Sequence, residues 1–251
     1  MTGRLPGPSG PSGPSGSPGP AVVLLSGGLD SATCLALARR AGHACHALTF
    51  DYGQRHQAEL RCARRLAQAL GARSHRVAAL DAALFAGSAL TDGPKVPKDR
   101  ADPAGEEIPA TYVPARNLVL LSMATAYAET LGAEAVYIGV NAVDYSGYPD
   151  CRPQFIEAFA RAAALATRQG TALGRPVAIR APLLHLSKAQ IIQAGMQAGV
   201  DFALTSSCYD PDHDTGGPIA CGRCDACTLR LKGFAEAGLR DPARYQTARL
   251  P

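Results

Sequence analysis

Apolar runs of strand length alternate with stretches of helical period along most of this chain. The runs fall at residues 21–25, 44–50, 135–140 and 177–179. Among them, apolar positions recur every three or four residues over 31–40, 57–70, 118–131, 153–167 and 188–198, the spacing that gives a helix one buried face. Strands that alternate with helices predict an α/β fold, a doubly wound and mainly parallel sheet covered on both faces. Two stretches break the rhythm. Residues 1–20, MTGRLPGPSGPSGPSGSPGP, are almost entirely Gly, Pro and Ser. Their triplets are too few for a triple helix and nothing in them offsets the entropy of ordering, so a disordered tail is expected. Residues 87–110, GSALTDGPKVPKDRADPAGEEIPA, are polar, Pro-rich and aperiodic, the texture of a lid or flexible insertion. Past Leu204 the chain turns cysteine-dense, so an α/β domain over 21–204 and a small module over 205–251, ending in a short helix and tail, are expected.

Composition adds limits more than direction. The 251 residues suffice for one large α/β domain or two small ones, and 47% apolar content permits a sizeable core. A net charge of +4 makes no case for a nucleic-acid partner. Of 25 basic residues only Lys95, Lys98, Lys188 and Lys232 are lysines, which lets each be weighed individually. No apolar run approaches the roughly 20 residues of a membrane span, and no signal-peptide core opens the chain, so neither membrane nor export is expected. In a reducing cytoplasm, the eight cysteines point to metal binding or catalysis before disulfides.

The first strand leads straight into candidate chemistry. AVVLLSGGLDSATC carries five apolar residues into Ser26-Gly27-Gly28, then Asp30 and Ser31 at a helix start. Ligands of open α/β sheets bind beyond the carboxyl ends of the strands. Glycines let the backbone turn tightly there, and the first N–H groups of the next helix face an anion with the helix dipole behind them. The Gly-Lys-Ser/Thr ending of a Walker A loop is missing, so a γ-phosphate site of that type is not expected. What remains is S-G-G-x-D-S, with a glycine-rich turn as the plain alternative.

Four further stretches carry polar residues to loop ends. In TFDYGQRH (49–56), after the second strand, Asp51 and Arg55 suit either a nucleotide sugar or base or a solvated ion pair. TYVPARN (111–117) sets Arg116 near the start of a long helix, where a cation opposes the dipole unless an anionic ligand, Glu106 or Glu107 compensates. NAVDYSGYPDCRP (141–153) gathers Asp144, Tyr145, Tyr148, Asp150 and Arg152 after a strand. Stacking rings and accepting carboxylates fit a flat polar heterocycle, although turn chemistry alone also favours Gly147 and Pro149. In HLSKAQII (185–192), Ser187 and Gln190 read as a capping box, making Lys188 the first helical residue. Phosphate nearby would favour that lysine; an exposed, inert one is the alternative.

The cysteines give the sharpest spacing. Cys208-x12-Cys221-x2-Cys224-x2-Cys227 can close a tetrahedral structural zinc site with no open position. An iron–sulfur run also uses C-x2-C-x2-C, but the C-x3-C-P continuation is replaced by Thr228-Leu229-Arg230. Cys34, Cys45, Cys62 and Cys151 lack ligand spacing.

Taken in order, SGGLDS, DYGQRH, YVPARN, GVNAVDYSGYPDC, LSK and CxxCxxC resemble the 7-cyano-7-deazaguanine synthase family, over residues 21–246. These are nitrile-forming ligases of queuosine-type precursor biosynthesis within the PP-loop ATP pyrophosphatase superfamily. The resemblance implies an adenine nucleotide alpha hydrolase-like, PP-loop ATP-binding domain over 21–204 and a four-cysteine zinc module over 205–251. It implies that Leu25, Ser26, Gly27, Gly28, Leu29, Asp30, Ser31, Ala32, Thr33, Cys34 and Leu35 bind ATP. Asp30, Arg116 and Lys188 would be catalytic, with Asp30 positioning Mg²⁺. Asp144, Tyr145, Tyr148, Asp150 and Arg152 would bind the deazaguanine acid, and Cys208, Cys221, Cys224 and Cys227 would hold Zn²⁺. The implied reaction adenylates 7-carboxy-7-deazaguanine, forms the amide with ammonia, and activates the amide oxygen a second time to leave the nitrile, using two ATP. A cytoplasmic homodimer fed by free ammonium is implied, since the length leaves no room for a glutamine-hydrolysing domain. Ser206 in TSSCY departs from the aromatic or bulky residue common there, which removes a stacking contribution. Three other readings share these motifs: a tRNA-thiolating PP-loop enzyme, which would need a basic RNA-binding region not evident here, a relative that transfers the acid to a protein amine, and a zinc-ribbon binding module.

Overall fold

The computed structural model describes residues 18–246, with residues 56, 104–106, 142–146 and 216 excepted. Residues 1–17 of the Gly/Pro/Ser tail lie outside the described residues. A five-stranded, wholly parallel sheet forms the centre, in the order β3-β2-β1-β4-β5. Its strands are β1 (Pro20–Leu24), β2 (Ala44–Asp51), β3 (Ser74–Ala79), β4 (Ala135–Tyr137) and β5 (Ala178–Arg180). Parallel pairing forces a crossover after each strand, and the crossovers cover both faces. One face packs on α1 (Leu29–Arg40), α2 (Ala58–Ala69) and α6 (Lys188–Gln197), backed by Phe234 of α7 (Asp225–Glu236). The other packs on α3 (Arg116–Leu131) and α4 (Pro153–Ala166), with the short α5 (Arg168–Thr171) following. Along β1, Ala21 and Val23 enter the first core while Val22 and Leu24 enter the second, which is why the strand is apolar without interruption.

The expected helices are all present, within about two residues of their predicted ends. β3 is the strand the apolar pattern does not predict. It lies at the sheet edge, carries His75 and Arg76, and owes its conformation to the ladder with β2 from His46↔Ser74 to Asp51↔Ala79. β4 is shorter than the run at 135–140: Ile138 N–H still donates to the Arg180 carbonyl at 2.9 Å, and the residues from Ile138 to Val140 go on to line a cleft.

The cysteine segment folds over the carboxyl edge of the sheet as a hairpin of β6 (Asp212–Asp214) and β7 (Gly217–Ile219) followed by α7. Residues 89–100 of the stretch read from sequence as a lid or flexible insertion are fastened to it. Ala89 and Val96 share a small core with the four cysteines, and Asp99 N–H donates to the Arg223 carbonyl at 2.8 Å. Lys98–Asp210 and Arg100–Asp225 ion pairs, both 2.7 Å, and an Arg223–Asp99 pair complete the attachment. Among the described residues no helix is long and apolar enough to cross a membrane.

Candidate active site

The strand order reverses between β1 and β4, and loops leaving adjacent strands toward opposite faces open a crevice at such a switch point. One cleft occupies it, walled by Leu24–Ser31, the 138–141 turn, the starts of α2, α3 and α6, and Ser206–Tyr209 of the cysteine segment.

The glycine loop forms its floor. Gly27 has φ +94°, and a Cβ there would stand 2.3 Å from the Glu59 carbonyl, so only glycine lets the loop turn this closely over α2. Ser31 Oγ donates to Gly28 O at 3.0 Å, accepts from Ser26 N–H at 3.2 Å and lies 3.1 Å from Ser26 Oγ. Gly28 caps α1 with extended backbone and no side chain of its own, Ser207 Oγ accepts the Leu29 N–H at 3.4 Å, and the helix N-terminus borders the cleft. Leu25, Ser26, Gly28, Leu29, Asp30 and Ser31 line the cleft. Ala32, Thr33, Cys34 and Leu35, also predicted to bind ATP, do not. They are fully buried where α1 packs between the sheet and α6, with Thr33 against Gly195 of α6, and Gly27 lies beneath the lining.

Asp30 and Lys188, 158 residues apart in sequence, meet here. Lys188 Nζ donates to both Asp30 oxygens, at 2.8 and 2.9 Å. The predicted capping box at Ser187 and Gln190 is formed and starts α6 at Lys188. Gly233 of α7 lies so close that a Cβ would meet Lys188 Cγ at 2.4 Å, so α7 presses the buried lysine stem toward the cleft.

Arg116 opens α3 directly after Ala115, whose φ of +51° is strained for a residue with a side chain. Its Nη1 donates to Tyr52 Oη at 3.0 Å. Tyr52 and Glu59 line this wall, and sequence reading missed both. Burial pushes Glu59 up to about 7, against the opposing charge of Arg116. The native state therefore holds this proton more tightly than the unfolded chain, and Glu59 lowers stability progressively as pH rises from 4.5 to about 7. No sequence period marks Glu59, although it stands in the first turn of α2 three residues past the DYGQRH motif. Asp51 does not line the cleft; Arg55 does, and donates to the carbonyls of Thr91 and Gly93 at 3.2 and 2.9 Å.

The loop after β4 divides. Asp144 and Tyr145 lie outside the described residues. Tyr148 lines the cleft, its Oη 2.7 Å from Thr111 Oγ1. Asp150 is buried outside the lining, where Oδ2 accepts the Asn117 N–H at 2.8 Å and so caps α3 from another segment. Arg152, predicted to bind substrate, is exposed at the N-cap of α4 and outside the cleft, because Pro153 starts the helix away from it.

The four predicted cysteines converge, their Sγ atoms all within 4.8 Å of one another and buried. Main-chain N–H groups of Tyr209, Asp210, Cys221, Arg223 and Cys224 donate to Sγ atoms at 3.2–3.5 Å. Four closely set sulfurs with convergent donors suit thiolates around a cation, so this group fits a structural metal such as zinc. Ser206 N–H donates to Gly27 O at 3.0 Å, so the same segment props the glycine loop. Arg230, unremarked in sequence, is fully engaged by Asp241, Thr205, Ser207 and the Phe202 carbonyl and locks α7 to this wall.

A doubly wound sheet with a glycine loop and helix N-terminus, an acid–lysine pair at its switch point and a metal-fit cysteine wall defines an α/β protein with a polar switch-point cleft. Comparison with known proteins narrows that class. The family described as "Queuosine biosynthesis protein QueC" matches residues 20–238. The 7-cyano-7-deazaguanine synthase of Anaeromyxobacter dehalogenans is 60% identical over 227 residues, covering 90% of this chain and 95% of its own. That of Azoarcus sp. is 62% identical over 227 residues, covering 90% and 96%. The chain belongs to the 7-cyano-7-deazaguanine synthase family. Among solved structures it is similar to NMN synthetase from Francisella tularensis, with TM-score 0.44 and 19% identity over 88% of this chain and 78% of that one. It is also similar to a 4-thiouridine synthetase–RNA complex with bound ATP, with TM-score 0.45 and 18% identity over 86% and 53%.

Proposed function

We propose that the chain is an ATP-dependent ligase that converts 7-carboxy-7-deazaguanine and ammonia to 7-cyano-7-deazaguanine. The observation that carries this reading is the switch-point cleft, where the α1 N-terminus, Lys188 and Arg116 supply donors and positive charge for a triphosphate and a carboxylate. A carboxylate oxygen is not displaced by ammonia, so it must first become a leaving group. Attack of the acid on the α-phosphorus releases pyrophosphate, whose charge the α1 N–H groups and Lys188 receive. Arg116 orients the carboxylate. Ammonia then displaces AMP to give the amide, and a second adenylation at the amide oxygen lets AMP leave again as the nitrile forms. Asp30 keeps acceptor lone pairs beyond its two bonds to Lys188 and faces the cleft, so it fits as the group that would hold Mg²⁺, which neutralises triphosphate charge when bound.

The test is incubation with 7-carboxy-7-deazaguanine, ATP, Mg²⁺ and ammonium, followed by mass spectrometry and nucleotide chromatography. The nitrile, AMP and pyrophosphate are expected without RNA or a protein acceptor. ADP with inorganic phosphate as direct products would overturn the reading. Cytoplasmic, homodimeric action belongs to the same proposal, and sedimentation at working concentration checks the dimer.

Recognition of the base falls to Asp144 rather than Asp150 on this reading, because Asp150 is buried outside the cleft lining, where it accepts the Asn117 N–H. The deazaguanine edge offers a ring N–H and an amine side by side, which one carboxylate can accept together. Asp144→Ala is expected to raise the KM for the acid at least about tenfold, ~1.4 kcal/mol, with little change for ATP. Asp150→Ala should instead lower stability by ~1 kcal/mol, as loss of a helix cap does, and lower the melting temperature. A wild-type KM for the acid in Asp144→Ala rejects the assignment.

A further inference from the structure

Among the described residues the cleft carries two carboxylates, Asp30 and Glu59, and no histidine. Asp30 is held by Lys188 through both oxygens. Glu59 is otherwise placed. It projects from the first turn of α2 beside the glycine loop, half-buried in the cleft wall, and no side chain or main-chain group among the described residues donates a hydrogen bond to its carboxylate.

The ligase reaction, if the proposed function holds, must strip protons from nitrogen more than once. Ammonium has no lone pair until it loses a proton, and nitrile formation removes the last N–H as AMP departs. Arg55, Arg116, Lys188 and Arg230 line the cleft as cations and cannot accept a proton. Tyr52 and Tyr148 are held protonated by burial, and burial pushes the Cys151 thiol up to about 12. Of the two cleft carboxylates, Glu59 is the one to which no described group donates a hydrogen bond.

We propose that Glu59 is the general base for the nitrogen. It takes the proton of entering ammonium, which frees the lone pair that forms the carbon–nitrogen bond as the carbon–oxygen bond to AMP breaks with its electron pair on oxygen, and the attached nitrogen then gives a second proton to water or the departing AMP phosphate to leave the neutral amide. In the second half, after Glu59 has returned its proton to water, the amide loses one of its two N–H protons to water as its oxygen is adenylated, and Glu59 takes the last one, whose bonding pair becomes the second π bond of the nitrile while AMP again leaves. The groups facing it are Arg116 of α3 and Tyr52 after β2, Cys62 one turn along α2, Arg55 on the same wall, the Asp30–Lys188 pair across the glycine loop, and Arg230 of α7. With burial outweighing Arg116, Glu59 titrates near neutrality, where a base both accepts readily and is substantially ionised.

The test compares the full chain with Glu59→Gln and Glu59→Asp in three assays. Acid-dependent exchange of pyrophosphate into ATP reports adenylation alone. Trapping with hydroxylamine, which is unprotonated at neutral pH, reports capture of the adenylate by a nucleophile that needs no prior deprotonation. The third assay is amide and nitrile formation from ammonium. Glu59→Gln is expected to keep exchange and hydroxamate formation within about threefold while ammonium-dependent product falls ~10²-fold. That residual rate should climb with pH as free ammonia increases, and Glu59→Asp should recover part of the loss. Ammonium-dependent turnover in Glu59→Gln within about threefold of wild type overturns the proposal, as does an equal loss in all three assays, which marks a merely structural residue. Absence of exchange in the wild-type chain sinks the ligase reading itself, a separate outcome.

Discussion

Exchanging serine for Cys224 is expected to yield a chain that binds well under one zinc, is largely insoluble and has no measurable ligase activity. The apolar core around the cysteines is small. It comprises the four cysteines with Ala89, Val96 and Ala226, flanked by Tyr209, Ala220 and Tyr245. A structural zinc in a small module is worth roughly 10–16 kcal/mol of apparent binding free energy, and that energy is folding energy. Four sulfurs within 4.8 Å of one another, left without a cation, would instead be packed thiols with unrewarded N–H donors. The damage reaches the cleft because Cys208, Tyr209 and Ala226 line it, and Ser206 props Gly27. Metal analysis, soluble yield and turnover are the measurements, with Cys151→Ser as the control that should retain zinc. Soluble, active Cys224→Ser would remove the structural role, as would fully active wild-type protein with well under one zinc per chain.

Asp30→Asn is expected to reduce acid-dependent ATP turnover by at least ~10²–10³-fold, the scale on which a preorganised charge or donor at a reacting centre acts. The amide keeps the size and shape of the carboxylate, so α1 and the glycine loop retain their packing. It removes the negative charge between Lys188 and the proposed triphosphate site, and with it the ligand offered to Mg²⁺. The substitution also leaves Lys188, itself 5% exposed, facing a neutral group. Losing the charged partner of a buried hydrogen bond costs about 1–3 kcal/mol, so a modest fall in thermal midpoint should accompany the catalytic loss. Pyrophosphate exchange, circular dichroism and thermal melts separate the two effects. Near-normal exchange in Asp30→Asn would reject the role; wholesale unfolding would show that the pair is a packing element first.

The division between legible and illegible residues follows the range of the forces involved. Helix periods and apolar runs are local, and α1 to α4, α6 and the two central strands lie close to where periodicity predicts them. So are glycine demands and cysteine spacing, which identify the switch-point loop and the metal cluster from sequence alone. β3 escapes because an edge strand is exposed along much of its length and needs no apolar run; only its ladder with β2 defines it. The 87–110 stretch reads as free because its anchors, Ala89, Val96 and the ion pairs to Asp210 and Asp225, follow no period.

At the site, residue type alone nominates Asp30, Arg116, Lys188, Asp150 and Arg152 equally, and the fold sorts them. Lys188 looks like a cation at the wrong pole of its helix until the crossover from β5 brings it onto Asp30, and Asp150 looks like a substrate ligand until α3 claims it with the Asn117 N–H. Arg152 stands at the N-cap of α4, outside the cleft lining. Glu59 is an ordinary first-turn acid in sequence, and becomes a group titrating near neutrality through burial in a cleft whose walls come from distant segments. Element order, the α/β class, the glycine loop and the four cysteines are written into the chain locally, since propensity, period and spacing act over a few residues. Which side chains face the cleft, which are spent on capping or packing, and which carboxylate is left to accept a proton emerge on folding alone, because desolvation and pairing between distant segments do not exist until those segments are packed together.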